Sequence, residues 1–176
     1  MAKSSVKQIK VDEKRILGVL AKNANKSIND IAKSLGFSRQ KVWRVMNSLE
    51  KNNTIWGYVA VIDEEKVDKK SYILLVKRST KPVEQELLNH IIKRELVKRT
   101  ETKIDITNSM FTHGSYDWII YFNAYDLKQA KQFQEHFNKL YEGFIIETQL
   151  IEKLFTVVSC GVTNPEIKKL NDFFKI

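Results

Sequence analysis

The stretch SLGFSRQKVWRVMNSLEK, residues 34–51, carries two interleaved patterns. Val42, Val45, Met46 and Leu49 fall at i, i+3, i+4 and i+7, a single apolar stripe on a helix. Arg39, Gln40, Lys41, Trp43, Arg44 and Asn47 occupy other positions of the same segment. Arginine, lysine and side-chain amides are the groups that reach phosphates and base edges. A charged helix face is also an ordinary solvated surface, so the flanking sequence has to decide between the two.

Immediately upstream, Gly36 supplies a left-handed stop and Ser38 an N-cap for this helix. Before them, Ser27 with Asp30 three positions on gives an approximate capping box. Ile28, Ile31, Ala32 and Leu35 form the buried stripe of that second helix. Asp12 is placed to cap a first helix with Ile16, Leu17, Val19 and Leu20 as its apolar positions. Three short helices with a tight glycine turn between the second and third read as a helix-turn-helix unit. In that geometry the third helix enters the major groove. Arg39, Gln40, Trp43 and Arg44 then meet base edges, with Asn47 on the same helix. Ser38 and Lys41 hold phosphates, and Lys26 and Ser27 sit where the second helix crosses the backbone. For Trp43, packing over the edge of the core is an equal alternative.

The charge distribution supports this reading. Of the net charge of +9, residues 1–60 hold 12 Lys/Arg against 4 Asp/Glu, whereas residues 61–176 hold 18 against 17. A basic module fused to a near-neutral one suits a nucleic-acid partner, although a general polyanion binder has the same signature. No apolar run is long enough to span a membrane, and no signal-peptide core is seen. Cys160 is the single cysteine. A reducing, cytoplasmic setting is expected, with Cys160 packed and inert.

Downstream of the third helix, Asn52 and Asn53 can end it in the left-handed region. The stretch from Ile55 to Ile62 favours a strand acting as wing and linker. Further on, strands are predicted at 71–78, 103–112, 118–124 and 144–158. Helices are predicted at 83–96, with Leu87, Leu88, Ile91, Ile92 and Leu96 inward, and at 127–141, with Leu127, Ala130, Phe133, Phe137 and Leu140 inward. The order is βαββαβ, two split βαβ halves in one antiparallel sheet backed by two helices. Asn164 and Pro165 open a short amphipathic tail helix. The fold class is α+β: an N-terminal winged helix-turn-helix domain followed by a ferredoxin-like βαββαβ sandwich. The predicted domains are 1–54, the strand and linker 55–70, the βαββαβ domain 71–160 and the tail 161–176.

Together these parts resemble the Lrp/AsnC-type (feast/famine) transcriptional regulators. The resemblance covers roughly residues 11–160. It rests on DEKRIL, IAKSLGFSRQKV and SLEK, on Ile55-Trp56-Gly57-Tyr58, and on Gly114-Ser115-Tyr116-Asp117. It implies a regulator that binds double-stranded DNA as a homodimer, often assembled into tetramers or octamers. It further implies dimerisation through the sheet and, in many members, a free amino acid bound between subunits near the G-x-Y-D turn. Carried over by residue, Gly114, Ser115, Tyr116 and Asp117 are the effector candidates, with Thr148 on the last strand. For Asp117 a purely structural role, accepting backbone N–H bonds in the turn, competes with capture of an effector ammonium group. The sequence departs from the family at Val45, Asn47 and Ser48, where basic residues are common. It also departs near Asn53–Thr54, where a glycine is usual.

His90, His113 and His136 lie in different elements, so no metal-ligand spacing exists and no metal or cofactor is expected. No phosphate-binding or nucleophile-elbow motif is present, and an enzyme is not expected. Two alternatives stay open: an architectural DNA-compacting protein, and an Lrp-like haem-precursor decarboxylase.

Overall fold

A computed structural model describes residues 6–83, 85–94 and 104–174. The chain forms two compact units. One comprises the residues through Val61 together with Val157–Ile167, and the other comprises Ile62–Thr156 together with the residues from Lys168 on.

The first unit contains α1 (Val6–Leu20), α2 (Ile28–Leu35) and α3 (Arg39–Lys51). Ile16 and Leu20 of α1, Ile31 and Ala32 of α2 and Val42 of α3 form its core, with Val45 and Met46 packed alongside. α2 is closed at both ends as its sequence predicts. The Ser27 hydroxyl accepts the Asp30 N–H, and Gly36 stands at φ +67°. α3 ends in Asn53 at φ 59°, where the Thr54 and Ile55 N–H groups return to the Leu49 carbonyl.

Three expectations in this unit are corrected. Asp12 does not cap α1; the helix already runs through it from Val6, and Asp12 is buried in mid-helix. Nothing between Val6 and Asp12 breaks a helix, so the available cap is overrun. The stretch 55–62 forms no strand. Its β-favouring side chains have no described partner strand, and without a ladder strand propensity has nothing to express. Trp56 is consequently 95% exposed. The same unit includes a short hairpin, β5 (Val158–Ser159) and β6 (Val162–Thr163). Its turn places Cys160 and Gly161 at φ 48° and 78°, and Cys160 is exposed rather than packed.

The second unit opens with a short 3-10 turn, Glu64–Val67. It then runs β1 (Lys70–Arg78), α4 (Gln85–Ile92), β2 (Asp105–Phe111), β3 (Trp118–Ala124), α5 (Leu127–Leu140) and β4 (Ile145–Glu152). The sheet order is β2-β3-β1-β4, antiparallel throughout. That is the order two interleaved βαβ halves require. A 3-10 turn at Ile167–Lys169 and α6 (Leu170–Phe174) form the tail.

Strand alternation puts Tyr72, Leu74, Val76, Trp118, Ile120 and Phe122 on one face, under Ala130, Phe133 and Phe137 of α5. Leu87 and Ile91 of α4 pack on the same core. Leu88 and Ile92, expected inward, are exposed because the short α4 buries one narrow stripe, and Leu127, also expected inward, is exposed at the first position of α5. Leu96 and Lys103, which also figure in the predicted elements, lie outside the described residues. β4 ends at Glu152 rather than 158, since its partner β1 starts at Lys70 and the register pairs Tyr72 with Glu152. The opposite face of the sheet carries Ile73, Leu75, Met110, Ile119, Tyr121 and Ile151, all half-exposed or exposed.

Candidate nucleic-acid interface and effector turn

The local chemistry of α3 separates its side chains by role. Ser38 caps it, accepting the Lys41 N–H at 3.2 Å. Val42 and Leu49 are buried, which turns the opposite side of the helix outward. Arg39, Gln40, Trp43 and Arg44 are then exposed and Asn47 is half-buried, all on one face by helical spacing. Trp43 is 57% exposed, so its ring lies on that outer face rather than over the core. Two guanidinium groups, two amides and an indole on one surface can supply bidentate hydrogen bonds, phosphate contacts and stacking.

Lys41 points elsewhere. Its Nζ lies 2.6 Å from Oδ2 of Asp12 and 4.0 Å from the centroid of the Phe37 ring. Asp12 is 2% exposed and also accepts the Gln8 amide at 3.1 Å. The hydrogen bond from Lys41 holds the Asp12 carboxyl below its ordinary value, against the opposing effect of burial. The Arg15 guanidinium lies 4.7 Å from the same Phe37 ring and donates to the Leu35 carbonyl at 3.0 Å. Asp12 was read from the sequence as a helix cap, and its burial and its pairing with Lys41 were missed. The signal of its burial was present, since it sits four and eight positions before the buried Ile16 and Leu20.

At the start of α2, Lys26 and Ser27 are exposed. The Ser27 hydroxyl already donates to Asp30 Oδ2 at 2.6 Å, which places a carboxylate beside the expected phosphate position.

The 113–117 turn is built tightly. Thr112 donates through its N–H to the Asp117 carbonyl at 2.9 Å and through its hydroxyl to the Tyr116 carbonyl at 2.7 Å. The Asp117 N–H reaches Val76 at 2.9 Å. Its carboxylate accepts the Arg78 N–H at 3.0 Å and lies 3.7 Å from the Arg78 Nε. The structural use of Asp117 is therefore the one on display. The Tyr116 hydroxyl donates to Gln149 Oε1 at 2.6 Å, while Gly114 and Ser115 are exposed.

Thr148 does not join this group. Its hydroxyl accepts the Gln134 amide at 3.0 Å and donates to Asn138 at 3.1 Å, so it faces α5. Gln149, one position on, points to the other face with Tyr116. Among the described residues no group of three or more His, Cys, Asp or Glu could hold a metal ion, and no helix is long and apolar enough to cross a membrane.

Comparison with known proteins agrees with this architecture. Residues 13–55 match the family model described as winged helix-turn-helix DNA-binding. No curated protein matches the sequence. Among solved structures, the chain is similar to an AsnC family transcriptional regulator from Agrobacterium tumefaciens. The identity is 20%, with 84% of this chain and 91% of that one covered, and the TM-score is 0.63. It is similar to LrpC of B. subtilis, at 16% identity over 90% and 99% of the two chains with a TM-score of 0.58. It is also similar to a transcriptional regulator of Neisseria meningitidis solved as an L-Met complex. There the identity is 14% over 86% and 94% of the chains, and the TM-score is 0.63. At these identities the likeness is one of fold: the chain has the two-part architecture of the Lrp/AsnC-type regulators.

Proposed function

We propose that the chain is a sequence-specific DNA-binding transcription regulator acting as a homodimer. The observation that carries this reading is the outer face of α3. Arg39, Gln40, Trp43, Arg44 and Asn47 stand together on the exposed side of the third helix of a winged helix-turn-helix segment. α3 enters the major groove, with Arg39, Gln40 and Arg44 at base edges and the Ser38 hydroxyl and Lys26 at phosphates. Each bidentate arginine contact to guanine contributes about 1–3 kcal/mol of discrimination. The excess positive charge of residues 1–60 supplies the salt-dependent share of affinity.

Dimerisation uses the open face of the sheet, where Ile73, Leu75, Met110, Ile119, Tyr121 and Ile151 form an apolar surface of the kind that marks protein interfaces. Two-fold symmetry then calls for a near-palindromic site with half-sites about one helical turn, or a multiple of it, apart. An amino-acid effector binds at the 113–117 turn between subunits. The L-Met complex of the Neisseria regulator supports that class of ligand. Gly114, Ser115 and Tyr116 are the contacts. Asp117 and Thr148, both engaged within the fold, support the turn and strand from behind. The effector acts by favouring one dimer or assembly geometry over another.

The test is DNase footprinting of the gene's own upstream region at low and near-physiological salt, with and without pooled amino acids. Discrete, periodic protection that shifts with the pool is the expected result. Even protection over unrelated DNA would replace the reading with architectural compaction.

A further inference from the structure

The first unit has one buried charged residue among those described, Asp12, and its partner Lys41 comes from the first turn of α3. A lysine at that place on a recognition helix would ordinarily be counted as a phosphate contact. Here its ammonium is 2.6 Å from a buried carboxylate on a different helix. Around it, the Phe37 ring, which follows Gly36 in the turn, is approached by both the Lys41 and Arg15 cations. Arg15 also takes the Leu35 carbonyl at the end of α2. Two residues of α1 thus hold the turn between α2 and α3 and the first turn of α3 itself.

We propose that the Asp12–Lys41 pair is a latch that sets the rotation and tilt of α3, making Lys41 a positioning residue for DNA recognition and not a phosphate contact. The inference rests on the DNA-binding reading above. Its physical basis is the asymmetry of buried ion pairs. The Asp12 carboxylate is taken out of water while the Lys41 side chain stays partly exposed, and the cost of burying the carboxylate offsets much of the attraction, so the pair adds little net stability. Removing Lys41, however, leaves the Asp12 carboxylate buried and uncompensated, and the structure must rearrange to hydrate it. A single geometry is therefore enforced at the base of the helix that presents Arg39, Gln40 and Arg44. Val42, the neighbour of Lys41, can tolerate small rotations of an apolar contact, whereas a hydrogen bond of this length fixes direction.

The test uses the full chain with Lys41→Met, Asp12→Asn and the Asp12→Asn/Lys41→Met double variant. Operator affinity is measured against salt, and unfolding is measured in parallel by denaturant. For Lys41→Met, about ten-fold or greater loss of affinity with the parental salt slope is expected, because no phosphate contact is removed. A slope reduced by about one would identify Lys41 as a phosphate contact and overturn the proposal. In unfolding, the two substitutions should be strongly non-additive, the double variant being no less stable than the worse single one. Additive effects would likewise overturn it. The unfolding arm needs no DNA. If the parent chain binds no DNA, the DNA reading falls while the unfolding cycle still decides whether the latch exists. Should Lys41→Met fail to fold, Lys41→Gln paired with Asp12→Asn leaves two amides able to hydrogen bond. It should recover the parental fold and salt slope, and a reduced slope in that variant would again overturn the proposal.

Discussion

The Asp117 carboxylate accepts the Arg78 backbone N–H at 3.0 Å, across from the turn that contains it to the end of β1. Asp117→Ala leaves that N–H without its partner and removes the adjacent charge. A loss of about 1–2 kcal/mol in unfolding free energy is expected, with Asp117→Asn losing less because its amide oxygen can still accept. Denaturant unfolding of the two variants checks this ordering. Equal stability of Asp117→Ala and parent would show that the turn does not depend on the bond.

Arg44 has no such obligation in the fold. It is exposed on α3, and its removal opens no cavity. Arg44→Ala is expected to weaken operator binding by about 1–3 kcal/mol while leaving thermal unfolding within about 0.5 kcal/mol of the parent. Binding isotherms on operator and scrambled DNA are the measurement. The loss should be concentrated on the operator.

Asn53 ends α3 in the left-handed region at φ 59°. A side chain with a Cβ and no local hydrogen-bonding capacity is strained there by about 1–2 kcal/mol. Asn53→Ala should therefore destabilise the chain by about 1 kcal/mol, and Asn53→Gly should be neutral or slightly stabilising. Reversal of that order would mean that the Asn53 side chain contributes more than its backbone tolerance.

The depressed Asp12 carboxyl makes the first unit acid-sensitive. Its folded value lies below the ordinary 3.8, chiefly through the hydrogen bond from Lys41, with Gln8, Lys41 and Arg15 adding to it and burial opposing it. A carboxylate lowered on folding binds fewer protons in the native state. Its stabilising contribution is therefore complete well above 3.8 and is lost as pH falls through the folded value. Below about pH 4 the parent should lose stability more steeply than Asp12→Asn, which has no proton to take up. Unfolding at a series of pH values from 7 to 2.5 reads the difference. Parallel curves would remove the pair from the acid response.

Much of this architecture was legible because local chemistry and long-range packing agree. Ser27, Gly36, Ser38 and Asn53 each mark a helix end whose geometry the structure reproduces, and the period of the apolar residues placed both cores. The failures share a cause. The stretch 55–62 was read from its side chains, yet a strand is a property of two chains of backbone, and nothing in one segment announces its partner. β4 was read as too long for the same reason: its end is set by where β1 begins. At the candidate interface, Arg39, Gln40, Trp43 and Arg44 emerged because exposure follows from helical spacing. The pairing of Lys41 was not legible because its partner lies 29 positions upstream on another helix, and pairing at that distance leaves no periodic trace. Thr148 was grouped with the turn by likeness, although alternation along β4 sends it to the opposite face from Gln149.

The placement of the three tryptophans makes the molecule its own optical instrument. Trp118 is sealed in the sheet core beside Phe137 and Tyr141, and its indole N–H is engaged by Ser109 at 2.8 Å. Its emission belongs at the blue end and disappears only when the second unit melts. Trp56, almost wholly in water, emits to the red and is open to collisional quenchers. Trp43 is exposed on the outer face of α3, and under the DNA-binding proposal its emission should change when a duplex arrives. One cuvette, read at different wavelengths and with and without iodide, can thus separate the melting of one unit from the engagement of the other without a label on either.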